Sequence, residues 1–356
     1  MKKPIISIPL IGVVLLSSCF DERQDIANTV ILNEKILDDA EELYVVEDFQ
    51  NLLEPAKNYY VYNDSIFILH CYEYEGCSLL RFFDNSYNSI KDICRYGNGY
   101  GEWLDLDITI NGEHLFINDM LKSQLLDINL DNNIIDNEND KSIIKYNVKW
   151  LTAVVPYGIE SVIAANPYYL HDSNNKINQG KQRLIVANRD YVYPNFTYDV
   201  WNVTQRQKLL KNINKEEYIY VNPIQSCIEI YDSCLINIKT IKGPRALKSE
   251  FSIRQNAETN QKIVSYGPLV IGSYVGGCLH QDNLYLLYVG ERWSDDIERN
   301  QNPTYVLKFD SNYELTKAYK YSGALYSISK GKDEDVFYAT AYDGVDDCKL
   351  IKLSTK

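Results

Sequence analysis

The chain has 356 residues, of which 45% are hydrophobic and 24% are charged, and its formal net charge is −13. These values are normal for a globular protein, but the acidity argues against a broad nucleic-acid-binding surface, which needs a positive field. Only 4 histidines leave little room for a histidine-rich metal site, whereas 30 tyrosines favour strands over helices. The composition predicts an acidic, β-rich protein with no nucleic-acid partner.

The N-terminus is predicted to be a targeting segment. Lys2 and Lys3 precede a short apolar stretch, 5–16, which is too short to span a bilayer but is typical of a secretory signal. The stretch ends in Leu16-Ser17-Ser18-Cys19, which resembles the bacterial lipobox of a leucine, two small residues and a cysteine. That resemblance implies cleavage after residue 18 and lipid attachment to Cys19. An ordinary signal peptide with a chance cysteine is the alternative.

The predicted domains follow from this cleavage: a signal peptide over 1–18, a lipidated tether over 19–26 and one domain over 27–356. An anchor with several acyl chains is stable, because each buried methylene contributes about 0.8 kcal/mol. Asp21 and Glu22 resemble the acidic export signal of Bacteroidetes surface lipoproteins, although a solvated acidic tether would look the same. We expect an outer-membrane lipoprotein, periplasmic or surface-exposed, that contacts the membrane through lipidated Cys19.

The body of the chain repeats one pattern, a polar turn followed by a β-rich run. The runs begin at residues 66, 115, 184, 235, 284 and 336. Their spacing is about fifty residues, apart from one longer gap that implies an insertion within 164–181. Such a period is typical of a propeller or β-solenoid, and a β-sandwich gives no reason for it. The prediction is an all-β, six-bladed β-propeller with four-stranded blades.

A second repeat is predicted to form the outer hairpins of the blades. Leu80 to Tyr87 resembles Leu307 to Tyr313, and Leu126 to Asn133 is a looser third copy. Each copy runs from an alternating strand into a turn of Asp, Asn and Ser, whose side chains bond their own backbone.

The ring of blades is predicted to close through an N-terminal strand, because unpaired edge strands promote aggregation. Thr29 to Leu32 has the β-branched character of a strand and lies just after the tether. We expect the segment from Ala27 to Val46, with Thr29 to Leu32 at its core, to pair with Cys348 to Ile351, and Ala27 to Leu37 is long enough for that strand.

Seven cysteines follow Cys19, so at least one is unpaired in a monomer. No CxxC spacing occurs, which gives a zinc ribbon no support. Cys71 with Cys77, and Cys227 with Cys234, could pair across hairpins, but small buried thiols are the favoured interpretation.

The most conspicuous motif spans Arg95 to Trp103, with glycines at 97, 99 and 101. A dinucleotide-binding loop has a different glycine spacing and opens a helix, whereas an alternating strand follows here. We therefore predict a tight loop between the first two blades.

This loop, with the strands around it, resembles the TolB-like six-bladed β-propeller lipoproteins of Bacteroidetes. Their usual loop reads Gly-x-Gly-Pro-Gly-Glu-Phe; here Tyr100 replaces the proline and Trp103 the phenylalanine. The resemblance implies a fold and a location, and it supplies no catalytic residues or cofactor.

Two functions remain open. The first is a non-enzymatic binding or scaffold module with a protein, peptide or glycan ligand on a propeller face. Aromatic side chains within 191–201 could stack on such a ligand. The second is a metal-dependent hydrolase or lactonase with Ca²⁺ in the channel, since Ca²⁺ takes oxygen ligands. No catalytic, cofactor or metal residue is predicted, and no cofactor is expected.

Several polar residues are candidates for the second function. The oxygen-bearing candidates are Asp119, Asn188, Asp190 and Asp343, and each is interpreted first as a turn or surface residue. The four histidines, interpreted as packed or rim residues, are His70, His114, His171 and His280.

Overall fold

The structure is a computed structural model that describes residues 29–131, 143–148, 151–166, 183–190, 198–199, 208–222, 226–245, 251–255, 262–266, 270–293, 303–342 and 348–355. These residues form twenty-eight strands and one short helix, so the all-β prediction is confirmed. The predicted signal peptide, the tether and Cys19 lie outside the described residues. No helix in the described ranges is both long and apolar enough to cross a membrane.

The described chain begins with three short strands and a helix. They are β1 (Thr29–Ile31), α1 (Lys35–Asp38), β2 (Glu41–Glu42) and β3 (Tyr44–Asp48).

Four antiparallel meanders of four strands each follow one connection pattern. Sheet A contains β4 (Asn58–Tyr62), β5 (Ile66–His70), β6 (Ser78–Phe83) and β7 (Ser89–Arg95). Sheet B contains β8 (Leu106–Asn111), β9 (His114–Asp119), β10 (Gln124–Asn129) and β11 (Ile143–Lys145). Sheets are lettered in chain order, and sheet C is described in the next paragraph. Sheet D contains β16 (Lys208–Asn212), β17 (Glu217–Asn222), β18 (Cys227–Tyr231) and β19 (Asn237–Lys242). Sheet E contains β22 (Val270–His280), β23 (Asn283–Trp293), β24 (Thr304–Phe309) and β25 (Leu315–Tyr321).

Two further meanders have three consecutive strands. Sheet C contains β12 (Val154–Tyr157), β13 (Ser161–Ala165) and β14 (Leu184–Ala187). Sheet F contains β26 (Leu325–Lys330), β27 (Val336–Tyr342) and β28 (Cys348–Ser354), and β3 completes it as a fourth strand. A separate small sheet contains β15 (Tyr198–Asp199), β20 (Phe251–Gln255) and β21 (Lys262–Tyr266).

The first strands of the sheets gather around one axis, which makes the fold propeller-like. Strands β4, β8, β16, β22 and β26 all line one narrow space of about 30 Å³. Strand β8 pairs in parallel with β22 where Asn111 lies opposite Leu279. The strands approach closely because Gly276 lacks a side chain: a Cβ there would lie 2.9 Å from the carbonyl oxygen of Tyr326.

Hydrophobic clusters fill the gaps between neighbouring sheets. The two faces of strand β5 pack in different gaps: Phe67 and Leu69 pack toward sheet F, and Ile68 packs toward sheet B. Both faces of such a strand are buried, so its sequence is a continuous run of apolar residues. The clusters join sheets A and B, sheets B, C and D, sheets D and E, sheets E and F, and sheets F and A.

The outer hairpins agree with the prediction for two of its three copies. The carboxylate of Asp84 accepts hydrogen bonds from the backbone of Ser86 (2.8 Å) and Asn88 (2.9 Å), and Asp310 holds the β24–β25 turn in the same way. In the third predicted copy, 126–133, β10 is formed but residues 132–133 lie outside the described part.

Two of the predicted unit starts are wrong. Residue 235 opens no strand: Asp232 closes the same kind of turn between β18 and β19, and Leu235 has a left-handed φ of 61°. Residue 184 opens the third strand of sheet C, not the second. The turns that open a unit and those that close one use the same Asp and Ser chemistry, so their sequences look alike. The predicted insertion within 164–181 falls between β13 and β14, mostly outside the described residues.

The N-terminal closure prediction is wrong in its strand. Strand β1 pairs in parallel with β19 of sheet D, whereas β3 pairs with β28 and places Asp48 opposite Ile351. Between them, β2 pairs in parallel with β25 of sheet E. The β-branched character of Thr29 to Leu32 predicts a strand but does not say which sheet edge it joins.

Residues 29–49, the N-terminal strap, therefore cross the outer edges of three sheets in turn. Leu37, Leu43 and Phe49 are 3%, 4% and 2% exposed and enter the gaps between sheets D and E, E and F, and F and A. Burying a side chain of this size contributes about 1.5–3 kcal/mol. Leu37, Leu43 and Phe49 are six residues apart, and this regular spacing is the sequence pattern that indicates the crossing of the three sheets.

The seven cysteines after Cys19 form no disulfide among the described residues, so neither of the possible pairs, Cys71 with Cys77 or Cys227 with Cys234, is disulfide-bonded there. Burial raises the pKa of the Cys71 thiol to about 11 and that of the Cys227 thiol to about 12. Both thiols are therefore protonated near neutral pH.

Candidate functional site

The central axis widens at one end into a cavity of about 330 Å³, here called the channel mouth. Its walls are the turns that join the first and second strands of sheets A, B, D and E, namely 62–63, 111–113, 211–214 and 279–282, together with Asp131. Turn sequences are polar because Asn, Asp and Gly tolerate left-handed backbone, as at Asn63 (φ 49°) and Asp282 (φ 62°). The fold thus gathers several polar turns around one opening.

Two asparagines of the channel mouth, Asn111 and Asn212, are buried with side-chain atoms that lack a hydrogen-bond partner in the described residues; in Asn212 this is Nδ2 alone, and in Asn111 it is both polar atoms. Asn111 ends β8 and is 2% exposed, and neither its Nδ2 nor its Oδ1 has a hydrogen-bond partner within the described residues. A buried polar group without a partner costs about 1–3 kcal/mol. Such a group in a native fold requires an explanation, and Asn111 belongs to the wall of a cavity.

Asn118 provides the contrast within the same sheet. It is 1% exposed in β9, its Nδ2 donates to the Leu151 carbonyl at 2.8 Å, and its Oδ1 accepts from the Tyr146 hydroxyl at 2.5 Å. The two asparagines are equally buried, but only Asn118 is satisfied by the protein.

The channel mouth contains three carboxylates, those of Glu113, Asp131 and Asp282. The Tyr62 hydroxyl donates to Asp131 Oδ1 at 2.5 Å, and the Asn214 amide donates to Asp282 Oδ1 at 3.0 Å. A carboxylate offers about four acceptor positions, so these contacts leave the mouth rich in acceptors.

The cations of the channel mouth do not balance these acids. Lys211 donates from Nζ to the Pro156 carbonyl at 3.2 Å and lies 5.8 Å from the Tyr218 ring centroid, and burial lowers its pKa. Burial, with the nearby charge of Lys330, lowers the pKa of His280, so this ring is neutral at pH 7. The mouth is therefore net negative.

A histidine–carboxylate pair lies next to the mouth. His114 Nδ1 is 2.7 Å from Asp127 Oδ1, and His114 Nε2 is 3.9 Å from Glu113 Oε1. The hydrogen bond to Asp127 raises the pKa of His114, and burial and Lys211 oppose it. The charge state of this histidine therefore affects the field at Glu113.

Of the oxygen-bearing candidates, the side chains of Asp119 and Asn188 are engaged in turns. Asp119 is fully buried; its Oδ1 accepts from the backbone of Leu121 and Lys122, both at 3.0 Å, and its Oδ2 from Leu104 at 2.9 Å. Asn188 Oδ1 accepts from the Asp190 backbone at 3.0 Å. Asp343 lies outside the described residues.

The calcium alternative has no carboxylate cluster to support it in the described ranges. No group of three or more His, Cys, Asp or Glu lies close enough there to hold a metal ion. The oxygens of Asp119 already accept backbone hydrogen bonds, so this carboxylate does not fit the role of a ligand.

The remaining histidines differ from one another. His70 is partly buried in β5, and burial with the charges of Lys57 and Lys208 lowers its pKa to about 4. His280 lines the channel mouth. His171 lies outside the described residues, and so do the predicted stacking residues Tyr191, Tyr193, Phe196 and Trp201, whereas the backbone of Tyr198 belongs to β15.

The glycine loop of 95–103 is a structural loop, as predicted. The Lys122 ammonium donates to three of its carbonyl oxygens, those of Gly97 (2.9 Å), Gly99 (3.0 Å) and Glu102 (2.6 Å). The Glu102 carboxylate accepts from the Gly99 backbone at 2.6 Å. The loop surrounds the Lys122 ammonium, and the backbone polar groups of the loop bond to protein partners.

Sequence reasoning did not identify the channel mouth. It recognised the turn after Asn111 and the turn at Gln281 and Asp282, but it treated them only as strand openings. The available signal was that these turns are equivalent in the repeat, which places them at the same end of a ring.

Comparison with known proteins gives no family. No family model matches the chain, and no curated protein matches it. Among solved structures, a DUF4221 family member from Bacteroides vulgatus shares 9% identity, covering 88% of this chain and 95% of that one with a TM-score of 0.47. A candidate exported protein of Bacteroides fragilis shares 11% over 92% and 99%, with a TM-score of 0.43. Virginiamycin B lyase from Staphylococcus aureus shares 9% over 88% and 99%, with a TM-score of 0.39. These likenesses carry no argument here, and the propeller-like description rests on the sheet topology.

Proposed function

We propose that this protein is a lipid-anchored, extracytoplasmic binding module that takes a small polar ligand in the channel mouth. The single observation behind the binding role is Asn111, a buried amide in the wall of this cavity with no protein partner in the described residues. Among the described residues, no group of three or more His, Cys, Asp or Glu could hold a metal ion in this lining. A binding role needs only placed donors and acceptors.

The fold of the module is proposed to be the six-bladed propeller of the TolB-like resemblance. Four meanders have the full four strands; the count of six adds sheet C and sheet F with β3. The hydrophobic clusters support this count, since they connect sheets A to F in an unbroken circuit back to sheet A.

A pair of deletions tests the closure of this ring. Removal of residues 20–26 should leave the melting temperature unchanged, because that segment is only a tether in this proposal. Removal of residues 20–48 takes away β1, β2, β3 and the buried Leu37 and Leu43, and should give insoluble or strongly destabilised protein. Equal melting of both variants would count against the closed ring.

The location is proposed from the lipobox resemblance at Cys19. The acidic pair Asp21 and Glu22 supports export to the outer membrane. Wild-type protein should fractionate with membranes and carry acyl mass on Cys19, whereas Cys19→Ser should accumulate as uncleaved precursor. Soluble wild-type protein with an unmodified Cys19 would exclude the anchor without affecting the binding role.

The binding role is tested by thermal shift with fractionated extracts of the native cell envelope. A ligand at a hundred times its Kd stabilises a folded protein by about 2.7 kcal/mol. We expect a fraction that raises the melting temperature of the wild type but not that of Asn111→Leu. If every active fraction stabilises both proteins equally, the channel mouth is not the binding site.

A further inference from the structure

We infer that β3 pairs antiparallel with β3 of a second copy of this chain, so that two four-stranded F sheets join into one sheet of eight strands. Strand β3 (Tyr44–Asp48) is the last strand of sheet F, and no strand of the described residues pairs with its outer side. All five of its residues are exposed, and Tyr44, Val45 and Val46 are 49%, 46% and 53% exposed. An apolar strand at an open edge promotes pairing with another chain.

The neighbouring sheet edges do not combine length with apolar exposure. Strands β1 and β2, at the edges of sheets D and E, have only three and two residues, and such short strands pair poorly with another chain. On β7, the edge of sheet A, the exposed residues are Ser89, Asp92 and Arg95, and charged side chains oppose edge pairing. Of these four edges, β3 is therefore the one suited to pairing.

The irregularity within β3 follows from the path of the N-terminal strap. The register between β3 and β28 shifts at Val46, which forms a bulge. A bulge can protect an open edge, but the strap needs this one for another reason. Residues six apart in a regular strand face the same side, whereas Leu43 and Phe49 enter the gaps on opposite faces of sheet F.

Symmetry and charge select one register for the two copies. Hydrogen-bonded and non-hydrogen-bonded pairs alternate along an antiparallel ladder, so a two-fold axis must place one residue opposite its own copy. Centring the pairing on Val46 includes all five residues of β3, and any other centre includes fewer. It sets Glu47 opposite Val45 of the second copy, and Asp48 opposite Tyr44. No acid then faces an acid, which would destabilise the sheet.

The proposed lipid anchor agrees with this symmetry, and this agreement rests on the proposed function. A two-fold axis between antiparallel strands of one sheet is perpendicular to that sheet, so the same face of both copies lies on each side. In each copy the chain enters β3 from sheet E, and Cys19 precedes Thr29 by ten residues. Both N-terminal segments therefore leave from one side of the joined sheet and can enter one membrane.

A bilayer is a poorer occupant of this edge than a second copy. Lipid cannot form hydrogen bonds with the outward backbone groups of β3, and unpaired backbone groups are costly in hydrocarbon. A second β3 strand pairs these groups and covers the apolar side chains at the same time.

Disulfide cross-linking in the membranes of expressing cells tests the register. Opposite residues of an antiparallel pair have Cα atoms about 4.5–5.5 Å apart, a separation that a disulfide can bridge. The full-length chain carries Cys234→Ser, because that thiol is exposed, together with Val46→Cys or Ile159→Cys. Ile159 is an exposed aliphatic residue of another turn and serves as the matched control. Mild oxidation should link most of Val46→Cys into a homodimer and leave Ile159→Cys monomeric.

Sedimentation of the purified full-length protein in a density-matched detergent measures the association itself. The wild type should have the mass of two copies. Val46→Lys places two ammonium groups opposite each other at the two-fold axis and should weaken the association by about tenfold or more. Ile31→Lys makes the same change at an exposed residue of β1 and should leave the dimer intact. Both variants should keep the melting temperature of the wild type, because both positions are exposed.

The inference is overturned if the wild type sediments as a monomer, or if Val46→Cys forms no more homodimer than Ile159→Cys. Cross-linking of Val46→Cys to a different protein would also overturn it, since the edge would then take another strand. If Ile31→Lys dissociates the dimer as strongly as Val46→Lys, the copies meet elsewhere and the inference fails. None of these measurements depends on ligand binding at the channel mouth or on acylation of Cys19, so the proposed function can fail separately.

Discussion

The glycine loop of 95–103 and the channel mouth are both polar turn regions, yet they differ in where their hydrogen bonds go. In the loop, Lys122 and Glu102 satisfy the backbone groups that the turn exposes. At the mouth, the amide of Asn111 is buried with no partner in the described part of the chain. A conspicuous motif thus proved structural, and an inconspicuous asparagine marks the cavity. The glycine loop and the channel mouth differ in whether their polar groups have hydrogen-bond partners, and not in how conspicuous their sequences are.

The largest expected effect is that of Asn118→Leu, which removes an amide that is hydrogen-bonded within the protein. This change leaves the Leu151 carbonyl and the Tyr146 hydroxyl unpaired in a buried site, so the free energy of unfolding should fall by about 3 kcal/mol. Urea denaturation measures it. A loss no larger than that of a surface substitution such as Asn85→Leu would mean that Asn118 is not the satisfied counterpart of Asn111.

A smaller loss is expected when the loop loses its cation, in Lys122→Met. Three carbonyl oxygens then lose a charged donor, but they lie near solvent and water can replace part of it, so we expect about 1–2 kcal/mol. Thermal unfolding measures the stability, and the ligand test on the same variant should be unaffected. Loss of binding in Lys122→Met would place function in the loop and weaken the comparison.

The smallest effect concerns pH beside the mouth. The pKa of His114 is raised in the folded protein, so its contribution to stability is present below the unfolded value of about 6.5 and is lost as pH rises through the folded pKa. Between pH 6 and 8 the wild type should lose more stability than His114→Gln, by less than about 1 kcal/mol because the pair is partly exposed. Asp127→Asn should give the same flattened profile. Parallel pH profiles for the wild type and both variants would show that the ion pair contributes nothing.

Much of the fold could be predicted from local sequence. The strand content, the turns at Asp84 and Asp310 and the structural nature of the glycine loop depend on short-range chemistry and are confirmed. Local rules also explain the errors: Asp232 has the same turn chemistry as a unit opening, and Thr29 to Leu32 would suit any open sheet edge. The candidate site could not be predicted, because Asn111 and Asn118 are both strand asparagines. Only the tertiary partners of each, from sheets and loops distant in sequence, distinguish them.

The most direct test of the central claim is the stability of Asn111→Leu in the absence of ligand. If the amide is buried without a partner, replacing it with an apolar side chain removes a desolvation cost, and the free energy of unfolding should rise by about 1 kcal/mol. Asn118→Leu, measured alongside, should change in the opposite direction. A clear fall in the stability of Asn111→Leu would show that the protein itself satisfies this amide, and would remove the basis for a ligand site at the channel mouth.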